Sequence, residues 1–299
     1  MKRILIVLVL VVIAGVAGLV RMQSKSSGAQ QQSANATAGE SANEAGEPRE
    51  EIRKTYRLAP DAQVTVAGIN GRVEVKTSET DTAEVHVVRT ATNRDSLARR
   101  RVVIEETPSS LIIRAENTGS WWSRLWGGKT PNEQVTISAP RRIALRLKGI
   151  NGRVTGGDVE GALEVSGVNG RVELSQLKGS ARVSGVNGSV SLGLRELNER
   201  GVEASGVNGS VELRVPVGLN ADLVAKGMNG KVRSEVPEVS LDHGEYGSGY
   251  SAHLGSGGAP IKVTGINGNV VLTRLAPAEV GSDKPTLEKK SVANAKPAL

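Results

Sequence analysis

Apolar and polar residues alternate along most of residues 51–274, and one phrase punctuates the alternation. In the stretch from Ala162 to Leu174, Leu163 and Val165 enclose Glu164, and Val172 and Leu174 enclose Glu173. A period of two marks a strand with one buried face and one wet face. Between the two runs stands Gly167-Val168-Asn169-Gly170. Asn-Gly between alternating runs is a strong turn signal, because both residues accept positive φ at little cost. The phrase Gly–apolar–Asn–Gly–x–Val occurs seven times, starting at Gly68, Gly149, Gly167, Gly185, Gly206, Gly227 and Gly265. Successive copies lie 81, 18, 18, 21, 21 and 38 residues apart. The final step is close to two periods and predicts a coil that has lost its phrase.

Each repeat reads as strand, Asn-Gly turn, strand, and a second turn such as Lys178-Gly179-Ser180 or the one at Leu197-Asn198. Two all-β architectures fit. One is a β-solenoid (a single-stranded β-helix) with coils of 18 to 21 residues stacked on one another. The other is an antiparallel β-meander in which each repeat is a hairpin. A regular period with the same phrase at the same place favours the solenoid. Stacked coils would set Asn70, Asn151, Asn169, Asn187, Asn208, Asn229 and Asn267 above one another at roughly 4.8 Å, so that side-chain amides bond from rung to rung. Turn chemistry accounts for every residue of the phrase; a line of such turns can also present a binding edge.

The flanks differ from the repeat block. Lys2 and Arg3 precede an unbroken apolar or small-residue run from Ile4 to Val20, closed by Arg21. Residues 1–21 read as a signal peptide or an uncleaved membrane anchor, and positive charge before the run places the remainder outside the cytoplasm. Residues 22–50, rich in Gln, Ser, Ala, Asn, Gly and Glu, read as a flexible linker, which as a coil spans roughly 30 Å. Residues 51–117 hold further strands, including a hairpin across Thr107-Pro108-Ser109, and Asp95 to Arg101 suits a short helical turn or a polar loop. Residues 132–232 are the repeat block, 233–260 an irregular coil, and 261–274 the last regular one. Residues 275–299, with Pro, Ala and Lys in no pattern, read as a disordered tail.

Composition sharpens this picture in three places. Aromatic residues make up 2% of the chain and phenylalanine is absent, which suits an interior of stacked Val, Leu and Ile better than an ordinary globular core. Cysteine is absent, so disulfides, thiolate metal sites and lipid attachment at cysteine are excluded. The net charge of +7 is spread over mixed Arg/Glu strand faces such as Arg171/Glu173 and Glu212/Arg214. That is a solvated face, with a modest pull on anionic surfaces as its functional alternative. No basic run interleaved with aromatics exists, so nucleic acid is not an expected partner.

Candidate chemistry is sparse. All three tryptophans fall in residues 118–131, as Trp121-Trp122-Ser123-Arg124-Leu125-Trp126. Trp121, Trp122, Arg124 and Trp126 form a candidate binding loop, able to stack on sugar rings or sit at a membrane interface. The structural alternative is a plug over the solenoid. His243 and His253 lie near Asp242, Glu245, Tyr246 and Tyr250, in no standard zinc spacing. Gly249-Tyr250-Ser251-Ala252-His253 half resembles a nucleophile elbow without its final Gly; an ordinary Gly-rich loop is the simpler reading. No cofactor is expected.

The order of features resembles a known family. An opening strand runs into the Gly68 phrase, a strand ends in Ile137-Ser138-Ala139-Pro140, repeated phrases follow, and Leu254-Gly255-Ser256-Gly257-Gly258-Ala259-Pro260-Ile261 precedes the last one. Over residues 53–274 this is similar to the bacterial putative-adhesin family of domains of unknown function, whose members carry repeated Asn-Gly β-coils. The resemblance implies an extracytoplasmic β-solenoid with no assigned catalytic residues, and the tryptophan loop departs from the family pattern. Three functions compete. The first is a non-enzymatic envelope protein that binds glycan or cell wall. The second is a structural or signalling module that takes an envelope protein at a strand edge. The third, a β-helix polysaccharide lyase or hydrolase, lacks the paired carboxylates such chemistry needs: Asp is confined to Asp158 and Asp222 in the repeats, and the phrase carries Asn where a calcium-binding repeat carries Asp.

Overall fold

The computed structural model describes residues 37–42, 46–118, 130–243 and 249–276. Among them eighteen strands form one mixed sheet beside one short helix, so the protein is all-β. The strands before the repeat block are β1 (Thr37–Ala42), β2 (Pro48–Arg57), β3 (Ala62–Ala67), β4 (Asn70–Ser78), β5 (Thr82–Thr90), β6 (Arg100–Thr107), β7 (Ser110–Asn117), β8 (Asn132–Pro140) and β9 (Ile143–Lys148). The helix α1 (Arg94–Ala98) sits between β5 and β6. Then follow β10 (Asn151–Asn187), β11 (Val190–Asn208), β12 (Val211–Val215), β13 (Ala221–Lys226), β14 (Val232–Ser234), β15 (Asp242–His243), β16 (Gly249–Leu254), β17 (Ala259–Asn267) and β18 (Val270–Arg274).

Pairing follows the repeat. The run before one phrase pairs in parallel with the run before another, and the run after with the run after. Thus β3 pairs with β9 through Val64↔Leu145 and Val66↔Leu147, and β9 pairs with β10 through Leu163↔Leu145. On the other side of the phrase β4 pairs with β10 through Val73↔Val154, and β10 with β11 through Val172↔Val190. The long strands β10 and β11 change partners along their length, passing from one stack to the other at each phrase. Among the described residues no ladder joins the two runs that flank one phrase.

This changes the account of the turn. Asn169 does not take positive φ; Gly167 does, at +62°, and Gly170, at +148°. A two-residue hairpin would need positive φ at both Asn and Gly. Here the chain turns a corner between two stacks instead of reversing. At Gly167 the left-handed conformation favours glycine. At Gly170 any Cβ would overlap the carbonyl oxygen of Gly152 on the neighbouring rung, so close backbone approach excludes every other residue.

Inward positions fill a continuous aliphatic interior. In one rung Leu163, Val165, Val168, Val172, Leu174 and Leu177 are all at most 2% exposed. The apolar residue within the phrase is therefore a core residue, while Asn169 beside it is exposed. Removing so much apolar surface from water is the main stabilising term, at roughly 25 cal/mol per Å².

Three expectations are corrected. The 38-residue step hides no lost coil: β17 lies between β11 and β13, and β18 between β12 and β14. The rung of Gly265 is inserted between those of Gly206 and Gly227, after β16 has folded back antiparallel on β13, with β15 antiparallel on β16. Second, residues 37–42 and 48–50 of the expected linker are strand: β1 lies antiparallel on β2 with Gly39 opposite Glu51, so it has a ladder partner that a free tether lacks. Third, Gly249-Tyr250-Ser251-Ala252-His253 is a regular strand and not the expected Gly-rich loop. The hairpin across Pro108 is formed by β6 and β7, and α1 is capped by Asn93, whose side chain accepts the Ser96 N–H at 2.8 Å.

Candidate binding surface along the asparagine ladder

The seven phrase asparagines meet in one line. Asn151 Nδ2 donates to Asn70 Oδ1 at 2.9 Å, Asn169 to Asn151 at 3.1 Å, Asn187 to Asn169 at 3.2 Å and Asn208 to Asn187 at 3.3 Å. The order then departs from the chain: Asn267 donates to Asn208 at 2.9 Å, and Asn229 donates to Asn267 at 3.0 Å. Every donor points the same way, so the amide dipoles add along the line and polarise one another. The line ends where Asn70 Nδ2 donates to the Pro131 carbonyl at 3.0 Å.

The Asn70 end is built differently from the rungs. Within the stack the N–H groups of Asn151, Asn169 and Asn229 donate to the neighbouring rung, as Asn169 does to the Ile150 carbonyl at 2.8 Å. Asn70 has no such rung, and its N–H donates to Glu133 Oε2 at 2.9 Å. The Glu133 carboxylate is fully buried and paired with Arg100, whose Nε lies 2.7 Å from Oε1 and Nη2 3.1 Å from Oε2. Arg100 also donates to the Gly68 carbonyl and, at 3.2 Å, to Asn117 Oδ1. A second buried cation, Arg89, donates to Glu50 and to the carbonyls of Leu97 and Arg100, tying β2, β5 and the α1–β6 junction together. Burying a charge is costly unless it is paired and hydrogen-bonded, and both groups are.

The outward rows carry charge in two patterns. Before the phrase, one row reads Arg146, Glu164, Arg182, Glu203, with bridges of 2.6 Å from Arg146 to Glu164 and 2.7 Å from Arg182 to Glu203. Burial disfavours the charged Glu164 carboxylate, but hydrogen bonds from Lys148 and Arg146 outweigh it and hold its pKa below the ordinary value. After the phrase, the residue that follows Asn-Gly is Arg72, then Arg153, then Arg171, all exposed.

The histidines do not converge. His243 packs its ring on Tyr250 with centroids 4.1 Å apart. His253 Nδ1 lies 2.6 Å from Asp222 Oδ1, and Gly258 N–H donates to Asp222 Oδ2 at 3.0 Å. That backbone bond first, and His253 second, hold the Asp222 carboxyl below its usual range. His86 lies 2.7 Å from Glu51 and lowers its pKa in the same way. Among the described residues no group of three or more His, Asp or Glu side chains is placed to hold a metal ion.

Of the candidate binding residues, Asn70, Asn151, Asn169, Asn187, Asn208, Asn229 and Asn267 come together as described. Trp121, Trp122, Arg124 and Trp126 lie outside the described residues, as do residues 1–21 and 277–299. The described neighbours of the tryptophan segment, β7 and β8, run beside β3 and β4, so the segment leaves and returns where the ladder begins. Sequence reasoning missed Glu133 and Arg89, and parity could have found both. Glu133 shares its face with Val135, Ile137 and Ala139, and Arg89 shares its face with Ala83, Val85 and Val87. Among the described residues no helix is long and apolar enough to cross a membrane.

No family model matches the chain, and no curated protein matches it significantly. Solved structures do resemble it. A putative cell adhesion protein from Clostridium sporogenes is 10% identical, with 74% of this chain and 98% of that one covered and a TM-score of 0.40. A putative adhesin from Bacteroides fragilis is 13% identical, with 74% and 96% covered and a TM-score of 0.33. Another from Parabacteroides distasonis is 13% identical over the same shares, with a TM-score of 0.30. At these scores the likeness carries no argument about what this chain binds.

Proposed function

We propose that this chain is an extracytoplasmic β-solenoid, held at the cell envelope by its N-terminal segment, that binds envelope glycan or cell wall and catalyses no reaction. One observation carries the reading. Successive repeats pair in parallel, so each outward position becomes a straight array of side chains at roughly 4.8 Å, the phrase asparagines being alike throughout. Such an array suits a repeating polymer better than a single small ligand. The tryptophan segment, whose flanks reach the start of the ladder, supplies rings for sugar stacking. The test is pelleting of the full-length chain with purified wall and outer-surface fractions at low and high salt, beside a variant carrying Trp121→Ala, Trp122→Ala and Trp126→Ala. Salt-resistant pelleting that the variant loses supports glycan binding. Absence of pelleting at every salt concentration overturns it.

A second reading is docking of another envelope protein by strand addition. It is favoured by β14, which pairs with β18 along one side and leads the last rung with its other side unpaired among the described residues. Deleting β14 would abolish that interaction and leave wall binding intact.

A further inference from the structure

The row after the phrase is unusual for a sheet. Arg153 stands in register with Arg72, and Gly170 lies against Gly152, which brings Arg171 beside Arg153. Three guanidinium side chains thus emerge from consecutive rungs roughly 4.8 Å apart. Like charges directly opposite one another are destabilising, and the row before the phrase avoids this by alternating Arg and Glu. The row after it does not. Arg171 Nε donates to Ser189 Oγ at 3.2 Å, a neutral group. Among the described residues Arg72, Arg153 and Arg171 have no carboxylate within ion-pair distance. Three aligned cations with no ion-pair partner among the described residues form a line of positive charge along the stack, open to solvent.

Two further sets of groups border this line. On one side lies the asparagine ladder, where each Nδ2 spends one hydrogen on its neighbour and keeps a second. On the other, one pleat away on the same face, stand Glu74, Thr155 and Glu173, with Glu74 bridged to Lys76 at 3.6 Å. These are acceptors and donors suited to hydroxyl groups.

We infer that the Arg72–Arg153–Arg171 row is a binding site for a linear acidic polysaccharide. The polymer's carboxylates lie on the three guanidiniums, and its hydroxyls meet the Asn amides on one side and Glu74, Thr155 and Glu173 on the other. Charge complementarity selects the occupant. A flat anionic membrane or a nucleic acid would bring phosphates against Glu74 and Glu173 as well as against the arginines. A polyol with one carboxylate per unit satisfies both rows. Arginine also pairs with carboxylates in a two-pronged geometry that lysine cannot match. This inference deepens the glycan-binding reading and rests on it.

The experiment titrates the full-length chain with polygalacturonate, with a neutral linear glucan, with vesicles of 30% phosphatidylserine and with single-stranded DNA, at two salt concentrations. One variant carries Arg72→Gln, Arg153→Gln and Arg171→Gln. A charge-matched control carries Arg146→Gln, Arg182→Gln and Lys262→Gln on the other face. Thermal melts establish that both are folded. The expected result is polygalacturonate binding that weakens at least tenfold in the first variant, changes less than twofold in the control, and declines with salt. Equal loss in both variants, or vesicles or DNA bound as tightly as polygalacturonate, overturns the inference. No polygalacturonate binding also overturns it. If wall pelleting then persists in the first variant and still needs the tryptophans, only the acidic-polymer site has failed. If pelleting is absent as well, the glycan reading has failed with it.

Discussion

At the Asn70 end of the ladder, each group that a preceding rung would have met is met by something else. The Pro131 carbonyl accepts the side-chain amide, Glu133 accepts the backbone N–H, and Arg100 donates to the Gly68 carbonyl. Beyond lie β8, β5, β2 and β1 in antiparallel succession, and the β6–β7 hairpin beside them. The Asn229 end is built differently, with β16 antiparallel on β13 and β15 on β16. Its rung donates to Asn267 and, through the Lys231 N–H, to Asn269 Oδ1 at 3.1 Å. It then ends in a strand of three residues, Val232–Ser234, preceded by exposed Lys231 and carrying exposed Arg233 at its centre. The repeat needs two terminations and uses two solutions. One replaces the missing rung with buried, fully paired polar groups. The other covers β13 with the antiparallel β16 and leaves β14, a strand of three residues, as a short edge.

The contrast can be broken most severely at Glu133. Glu133→Ala leaves Arg100 without its carboxylate and the Asn70 N–H without an acceptor, and should cost about 3–5 kcal/mol, read as a fall in the urea midpoint at unchanged slope. Next is a change within the stack. Gly170→Ala forces a Cβ onto the Gly152 carbonyl and should cost about 3 kcal/mol, whereas Gly218→Ala, in open space, meets only its φ of +80° and should cost less. Third, Asn187 both donates and accepts in the ladder while Asn229 has only its donation to Asn267 described. Asn187→Ala should cost about 1 kcal/mol and Asn229→Ala about half that; equal losses would show that the ladder does not act as a continuous line.

The smallest effect concerns pH at β13 and β16, near the open end. Asp222 has a folded pKa lowered by the Gly258 N–H and by His253. A lowered carboxyl contributes stability above its unfolded pKa of about 3.9 and loses it as pH falls through the folded value. Hydrogen exchange at the Gly258 amide should therefore speed up below about pH 4 in the parent relative to its neighbours, and Asp222→Asn should show no such step.

Much of the local structure was legible in the chain. The alternation around Glu164 and Glu173 marked strands, and the phrase marked the point where the direction changes. The recurrence of Asn at one place in the period pointed to rung-to-rung amide bonds, since a hairpin has no use for that regularity. What failed was local detail read by analogy: the Asn-Gly pair suggested a hairpin turn, but the positive φ values fall on the glycines that bracket Val168-Asn169. Glu133 and Arg89 were passed over because charged residues in strands are expected to face water, although their parity placed them inside.

The sequence by itself determined which residues face inward, where each corner falls and which groups repeat, because these depend on backbone sterics and on a period of two. It did not determine the order of the rungs. The Gly265 phrase carries the same apolar edge as the others, so its pairing energy is similar on any of them. Its place between the Gly206 and Gly227 rungs is decided by the return of β16 along β13, a contact that exists only in three dimensions. The seal at Asn70 is likewise tertiary, because Arg100, Glu133 and Gly68 are far apart in the chain. Local rules repeat identically along a periodic chain; only long-range packing can tell one copy from the next.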